Sequence, residues 1–255
     1  MLAAAVKIGA AVALGVLLAV YLLQDKLIFQ PQPHAQRAPG AADVYLQAAD
    51  GTRLHAWHVK ASVGAPVVLY FGGNAEDVSW MLDEVPRRVP NMGWLLIDHR
   101  GYGASAGRPS EASLAADAVA WYDRVAPGAA RVYALGRSLG SGVAVQLAAS
   151  RRLDGVILVT PFDSLARVAK RYYPFLPVDL LLRHPFDSLA RAPALRAPLL
   201  CLAAGRDEVI PAEHARRLCA AWGGEKRWLE LDCGHNDIDH HPDYWPAIER
   251  FLGAG

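Results

Sequence analysis

Cysteine is scarce: Cys201, Cys219 and Cys233 form an odd set at wide spacing, with no second ligand pair of the C-x-x-C kind. That argues against both a disulfide framework and a zinc site and leaves buried structural thiols. Surplus charge is lacking too, since 26 Lys and Arg meet 25 Asp and Glu for a net of +1. With no basic arm and no run of like charges, the phosphate-directed attraction that dominates nucleic-acid binding has no source, so no nucleic-acid partner is expected. A third absence lies near the start of the chain. The apolar run from Val6 to Leu23 ends in bulky Val20-Tyr21-Leu22-Leu23, where a signal-peptide cleavage site needs small residues, and no Cys follows for lipid attachment.

What does occupy that stretch is about the length a helix needs to cross a bilayer, interrupted only by Lys7, Gly9, Gly15 and Tyr21. Residues 1–24 are therefore read as an uncleaved membrane anchor, with a signal peptide and then a buried core helix as the alternatives. The amino group and Lys7 precede the span while Lys26 and Arg37 follow it, so orientation stays open, with a slight lean to an extracytoplasmic domain. Residues 25–43, rich in Pro, Ala and Gly as far as Gly40, read as a tether, and 44–255 as one domain.

Within that domain, strand signals at 54–59, 67–71, 94–98, 131–135, 156–160, 199–203 and 227–231 alternate with helical spacing at 76–89, 111–125, 139–150, 212–222 and 244–252. Such alternation predicts an α/β fold with a mainly parallel sheet covered on both faces. Ligands in such sheets sit beyond the carboxyl ends of the strands, so the polar residues just after each strand are the ones to weigh. Residues 161–167 and 185–191 share the sequence Pro-Phe-Asp-Ser-Leu-Ala-Arg, and both copies are read as helix-capping signals.

The pattern G-x-S-x-G occurs twice, at Gly136-Arg137-Ser138-Leu139-Gly140 and at Gly103-Ala104-Ser105-Ala106-Gly107. A nucleophilic serine of this kind needs a strand, a sharp turn that thrusts its hydroxyl outward, and a helix whose first N–H groups face the developing oxyanion. Ser138 has all three. Ser105 lies between Gly101-Tyr102-Gly103 and Arg108-Pro109, which reads as loop.

With Leu27-Ile28-Phe29-Gln30-Pro31, Phe71-Gly72-Gly73-Asn74-Ala75-Glu76, Asp98-His99-Arg100-Gly101-Tyr102-Gly103, Asp207-Glu208-Val209-Ile210-Pro211 and Gly234-His235-Asn236-Asp237 in that order around the Ser138 turn, the chain resembles the α/β-hydrolase superfamily. The likeness is to its single-pass Bem46-like and ABHD-type membrane serine hydrolases, and it runs from Leu27 to Leu252. It departs from the family at Gly72-Gly73, where His-Gly is usual.

A serine hydroxyl is a weak nucleophile near neutral pH and needs an imidazole base steered by a carboxylate. Of nine histidines, His34 falls in the tether, His55 and His58 in an early strand, His214 on an amphipathic helix read as solvated, and His240 and His241 at the last helix start. His235 follows the last strand by a short turn and matches the family's terminal His. Asp207, after the strand at 199–203, is the acid that fits the chain order Ser, Asp, His, with Glu208, Asp232 and Asp237 as rivals. The oxyanion donors are the N–H of Leu139, next after the nucleophile, and that of Asn74, carried over from the family's motif.

The chemistry is acyl transfer to water and calls for no metal or organic cofactor. An insertion at about 161–197, containing Tyr172-Tyr173-Pro174-Phe175 and Leu180-Leu181-Leu182, should form a small cap suited to an acyl chain. The expected partners are a membrane, through residues 1–24, and a small ester, thioester or lipid-like substrate. A peptidase of the same fold and a non-catalytic tethered binding domain are the rival functions, and oligomeric state is not addressed by the sequence.

Overall fold

The computed structural model describes residues 2–33 and 42–253; residues 34–41, with His34 and Arg37 of the expected tether, lie outside the described residues. An eight-stranded sheet forms the centre, in the order β1 (Ala42–Gln47), β2 (Arg53–Val59), β4 (Gly93–Ile97), β3 (Val67–Phe71), β5 (Val132–Arg137), β6 (Gly155–Val159), β7 (Leu199–Ala204) and β8 (Lys226–Leu231). β1 and β2 pair antiparallel, β2 meets β4 antiparallel, and every later pairing is parallel.

Period-two alternation sends successive side chains to opposite faces. In β3, Leu69 and Phe71 join a core with Ala134, Leu158 and Trp121 on one side, while Val68 and Tyr70 join Trp94, Leu135 and Ile248 on the other. Helices α3 (Glu111–Val125), α4 (Leu139–Ser150) and α8 (Ala212–Ala221) supply side chains to the first core, and α2 (Met81–Arg88) and α9 (Tyr244–Gly253) to the second. The inner parallel strands β3 to β7 are thus buried on both faces and read as apolar runs, whereas the edge strand β8 is largely exposed. Ser110 starts α3 with a capping box shared with Ser113.

Between β6 and β7 lie α5 (Leu165–Tyr172), α6 (Val178–Leu181) and α7 (Ser188–Arg191), in the region expected as a cap. The two Pro-Phe-Asp-Ser-Leu-Ala-Arg copies pack on each other there, with Phe162 and Phe186 edge to face at 6.3 Å and Leu165 N donating to Pro185 O at 2.9 Å. Capping holds for the second copy, whose Asp187 side chain accepts from Ala190 N. In the first copy Ser164 makes no side-chain cap bond, and Asp163 is turned instead to His214 at 2.6 Å and Arg217 at 2.7 Å. Burial alone would raise the Asp163 carboxyl, but those two partners hold it below the usual range. His214 is accordingly buried rather than solvated.

Helix α1 (Leu2–Ile28) is the one described helix long and apolar enough to cross a membrane, by length and composition. Residues 25–33, expected to begin a tether, differ from that reading. They finish α1 and lie on the domain, where Phe29 is buried and Gln32 O accepts from Gly103 N at 2.9 Å. The helical spacing at 76–89 resolves into a 3₁₀ turn, Val78–Trp80, followed by α2, because the Asp77 side chain caps Ser79 N.

Candidate active site

Ser138 stands between β5 and α4 with φ +49° and ψ −115°, a backbone few side chains adopt without surroundings that enforce it. Close packing enforces it here: a Cβ on Gly136 would fall 2.3 Å from Gly140 O, and one on Gly140 2.0 Å from Phe71 O. Leu139 opens α4, so its N–H belongs to the first turn and has no partner within the helix.

The later loops bring two more side chains to the turn. His235, four residues beyond β8, places Nε2 3.0 Å from Ser138 Oγ, and its Nδ1 lies 2.7 Å from Asp207 Oδ2. A carboxylate only accepts, so Nδ1 carries the proton and Nε2 is left to accept from the serine hydroxyl. Asp207 is fixed in turn, its Oδ1 accepting from Val209 N at 2.9 Å and Ile210 N at 2.6 Å. Both carboxylate oxygens are therefore engaged, and the side chain is 1% exposed. Such a set can take a proton from a hydroxyl, hold it on an oriented imidazole and return it. The other candidate acids, Glu208, Asp232 and Asp237, are exposed, and Asp232 lies 3.3 Å from Arg206.

Asn74 reaches the same place from the loop after β3 and lines one cavity with Ser138 and Leu139. Its amide is held on three sides: Oδ1 accepts from Gln30 N at 2.9 Å and from the Tyr102 hydroxyl at 2.7 Å, and Nδ2 donates to Ile28 O at 2.8 Å. The departure from the family at Gly72 is filled by packing, since a Cβ there would come within 2.6 Å of Val78 Cγ1. Asp98-His99-Arg100-Gly101-Tyr102 is occupied as support. His99 Nε2 lies 2.9 Å from Gly72 O, and Arg100 bonds Asp117 through two nitrogens, at 2.9 and 2.7 Å.

Sequence reasoning passed over a buried polar cluster behind the serine turn. Glu76 accepts from the Tyr70 hydroxyl, from Gly73 N at 2.5 Å and from Trp80 Nε1 at 2.9 Å. Arg137 lies 3.7 Å from Glu76 and 3.8 Å from Asp239, and it donates to Asn236 O at 3.4 Å. Burial works to lower the Arg137 guanidinium, yet Glu76 and the tyrosines nearby raise it above its ordinary value. The serine turn, the Asn74 loop and the His235 loop are thereby tied through one cation. Only the x of G-x-S-x-G and the Glu after Asn74-Ala75 hinted at this in the sequence.

A doubly wound sheet with a strained serine turn after its central strand, and Asp and His after two later strands, defines an α/β-hydrolase fold. The chain belongs to the serine hydrolase family, whose model matches residues 113–254. It is 39% identical to the uncharacterized protein Rv2307c of Mycobacterium tuberculosis, with 97% of this chain and 93% of that one covered. A relative from Saccharomyces cerevisiae, the uncharacterized membrane protein YNL320W, is 30% identical across 80% of this chain and 76% of its own length. The solved Pyrococcus furiosus esterase Pf2001 superposes with a TM-score of 0.73 at 16% identity, covering 89% of this chain and 99% of that one, a likeness of fold.

Proposed function

We propose that this serine hydrolase is a membrane-anchored esterase or thioesterase with Ser138 as nucleophile, His235 as base, Asp207 as the carboxylate that steers it, and the N–H groups of Asn74 and Leu139 as oxyanion donors. Ser138 Oγ bonds to the acyl carbon while its proton passes to His235 Nε2, and negative charge collects on the former carbonyl oxygen. The C–O or C–S bond then breaks, and His235 gives its proton to the departing alcohol or thiol. Water, deprotonated by the same nitrogen, attacks the acyl-enzyme, releasing the carboxylic acid and restoring Ser138. Asp207 stays ionised throughout and keeps the imidazole in its working tautomer.

The observation that carries the reading is the 3.0 Å approach of His235 Nε2 to Ser138 Oγ with Nδ1 held by Asp207, on the wall of a cavity of about 580 Å³ with mostly apolar lining. Acyl groups suit such a lining. A mean hydropathy of 2.3 over 18 residues of α1 supports membrane attachment, as does a relative named as a membrane protein. A fluorophosphonate probe tests the nucleophile: wild type and Ser105→Ala should label, and Ser138→Ala should not. Labelling that survives Ser138→Ala and disappears in Ser105→Ala would reverse the assignment.

A further inference from the structure

We propose that the last two turns of α1 are a wall of the acyl site, and that the substrate is a membrane lipid ester whose acyl chain enters sideways from the bilayer between α1 and the cap. This deepens the Ser138 reading and rests on it. At 1.5 Å per residue a helix the length of Leu2–Ile28 reaches about 40 Å, against about 30 Å of bilayer hydrocarbon. Its final turns are thus left on the protein side. Val20, Gln24, Leu27 and Ile28 recur at i, i+4, i+7 and i+8, one face of the helix, and all four line the cavity that also holds Ser138. Val16, one turn earlier on that face, is 51% exposed, so the apolar face runs from open span to cavity wall.

A plain tether has no need to touch the site, yet α1 is latched to the cap. Gln24 is buried; its Nε2 donates to Tyr21 O and Leu181 O at 2.9 and 3.0 Å, and its Oε1 accepts from Arg183 N at 2.7 Å. The one polar side chain on this wall from α1 is therefore spent on backbone and offers nothing to a polar substrate. Asp25 Oδ1 accepts from the Arg183 guanidinium at 2.7 Å and lies 3.0 Å from His184 Nε2.

The facing wall comes from the cap, with Val168 and Tyr172 of α5 and Val178 and Leu181 of α6. Between and beside them Phe175 is 97% exposed and Leu180 84%. Beside a helix whose apolar window is unburied among the described residues, they are placed to sit among lipid tails, and the occupant of the cavity follows from that continuity: hydrocarbon from the same leaflet.

The full chain in phosphatidylcholine vesicles can be labelled with a long-chain alkyl fluorophosphonate bearing a terminal diazirine, irradiated and mapped by mass spectrometry. Crosslinks from modified Ser138 to the stretch 20–28 of α1 are the result expected. Modified Ser138 with no crosslink to that stretch of α1, crosslinks to the cap alone included, would overturn this inference alone, whereas an unmodified Ser138 would overturn the nucleophile assignment as well. Independently, Val20→Trp and Leu27→Trp should each lower the ratio of kcat/KM for long-chain over short-chain esters at least tenfold. An unchanged ratio in variants that still label would remove α1 from the site, and should they not fold, the crosslinking on wild type decides.

Discussion

At Ser138 the hydroxyl faces a ring nitrogen; at Ser105, in the other G-x-S-x-G, it faces backbone. Ser105 Oγ accepts from His55 N and donates to Asp98 O, each at 2.8 Å. A histidine and an aspartate are close by here too, since His55 Nδ1 lies 2.8 Å from Asp98 Oδ2. The second ring nitrogen, however, meets Asp43 at 2.9 Å instead of the serine. Ser105 is buried and is not among the residues of positive φ, whereas Ser138 is strained and lines a cavity. The same three residue types thus make either an arrangement fit to pass a proton or a structural knot. What separates them is whether one imidazole nitrogen is left facing a hydroxyl that a substrate can reach.

The largest effect that would break this contrast is on turnover. His235→Ala should lower the rate by on the order of 10⁴ to 10⁶ with an ester substrate, and Asp207→Asn somewhat less; losses within a factor of a few would leave the two clusters chemically alike. Next comes stability. Ser105→Ala removes the bridge from His55 N to Asp98 O and should cost about 1–3 kcal/mol in urea unfolding, with fluorophosphonate labelling kept. A neutral outcome would deny the knot its structural role.

The smallest effect concerns pH. Burial holds His99 below its ordinary pKa, so the folded protein keeps it neutral while the unfolded chain takes up a proton as pH falls below about 6.5. Its contribution is present above that value and lost on acidification. His99→Gln should therefore flatten the fall in unfolding free energy between about pH 6.5 and 5 by up to about 1.4 kcal/mol per pH unit. Parallel curves for variant and wild type would show that His99 does not report on the packing of the Gly72 loop.

Local pattern carried much of the architecture. Strands β3 to β7 could be read because buried parallel strands are short apolar runs, and the turns after β5, β7 and β8 because loops at strand ends carry the polar residues, whereas Asn74 after β3 came from the family resemblance. Edge strand β1 was missed because its six residues include Asp43 and Gln47 and its pairing with β2 supplies what its composition lacks. His214 looked solvated because the partner that buries it, Asp163, lies 51 residues away. Gln24 and Asp25 looked like the end of a span, while their partners Leu181, Arg183 and His184 are more than a hundred residues downstream. Contacts between distant segments leave no periodicity to read, and it is these that join α1 to the cap.

The grip on Asn74 has a practical corollary. Of its three side-chain hydrogen bonds, the two to Ile28 O and Gln30 N end on the segment that leads out of α1. Cutting the protein back to residue 42 to obtain a soluble enzyme would leave that amide to Tyr102 alone, so such a fragment should be a poorer catalyst than the whole chain even toward substrates that never meet a lipid.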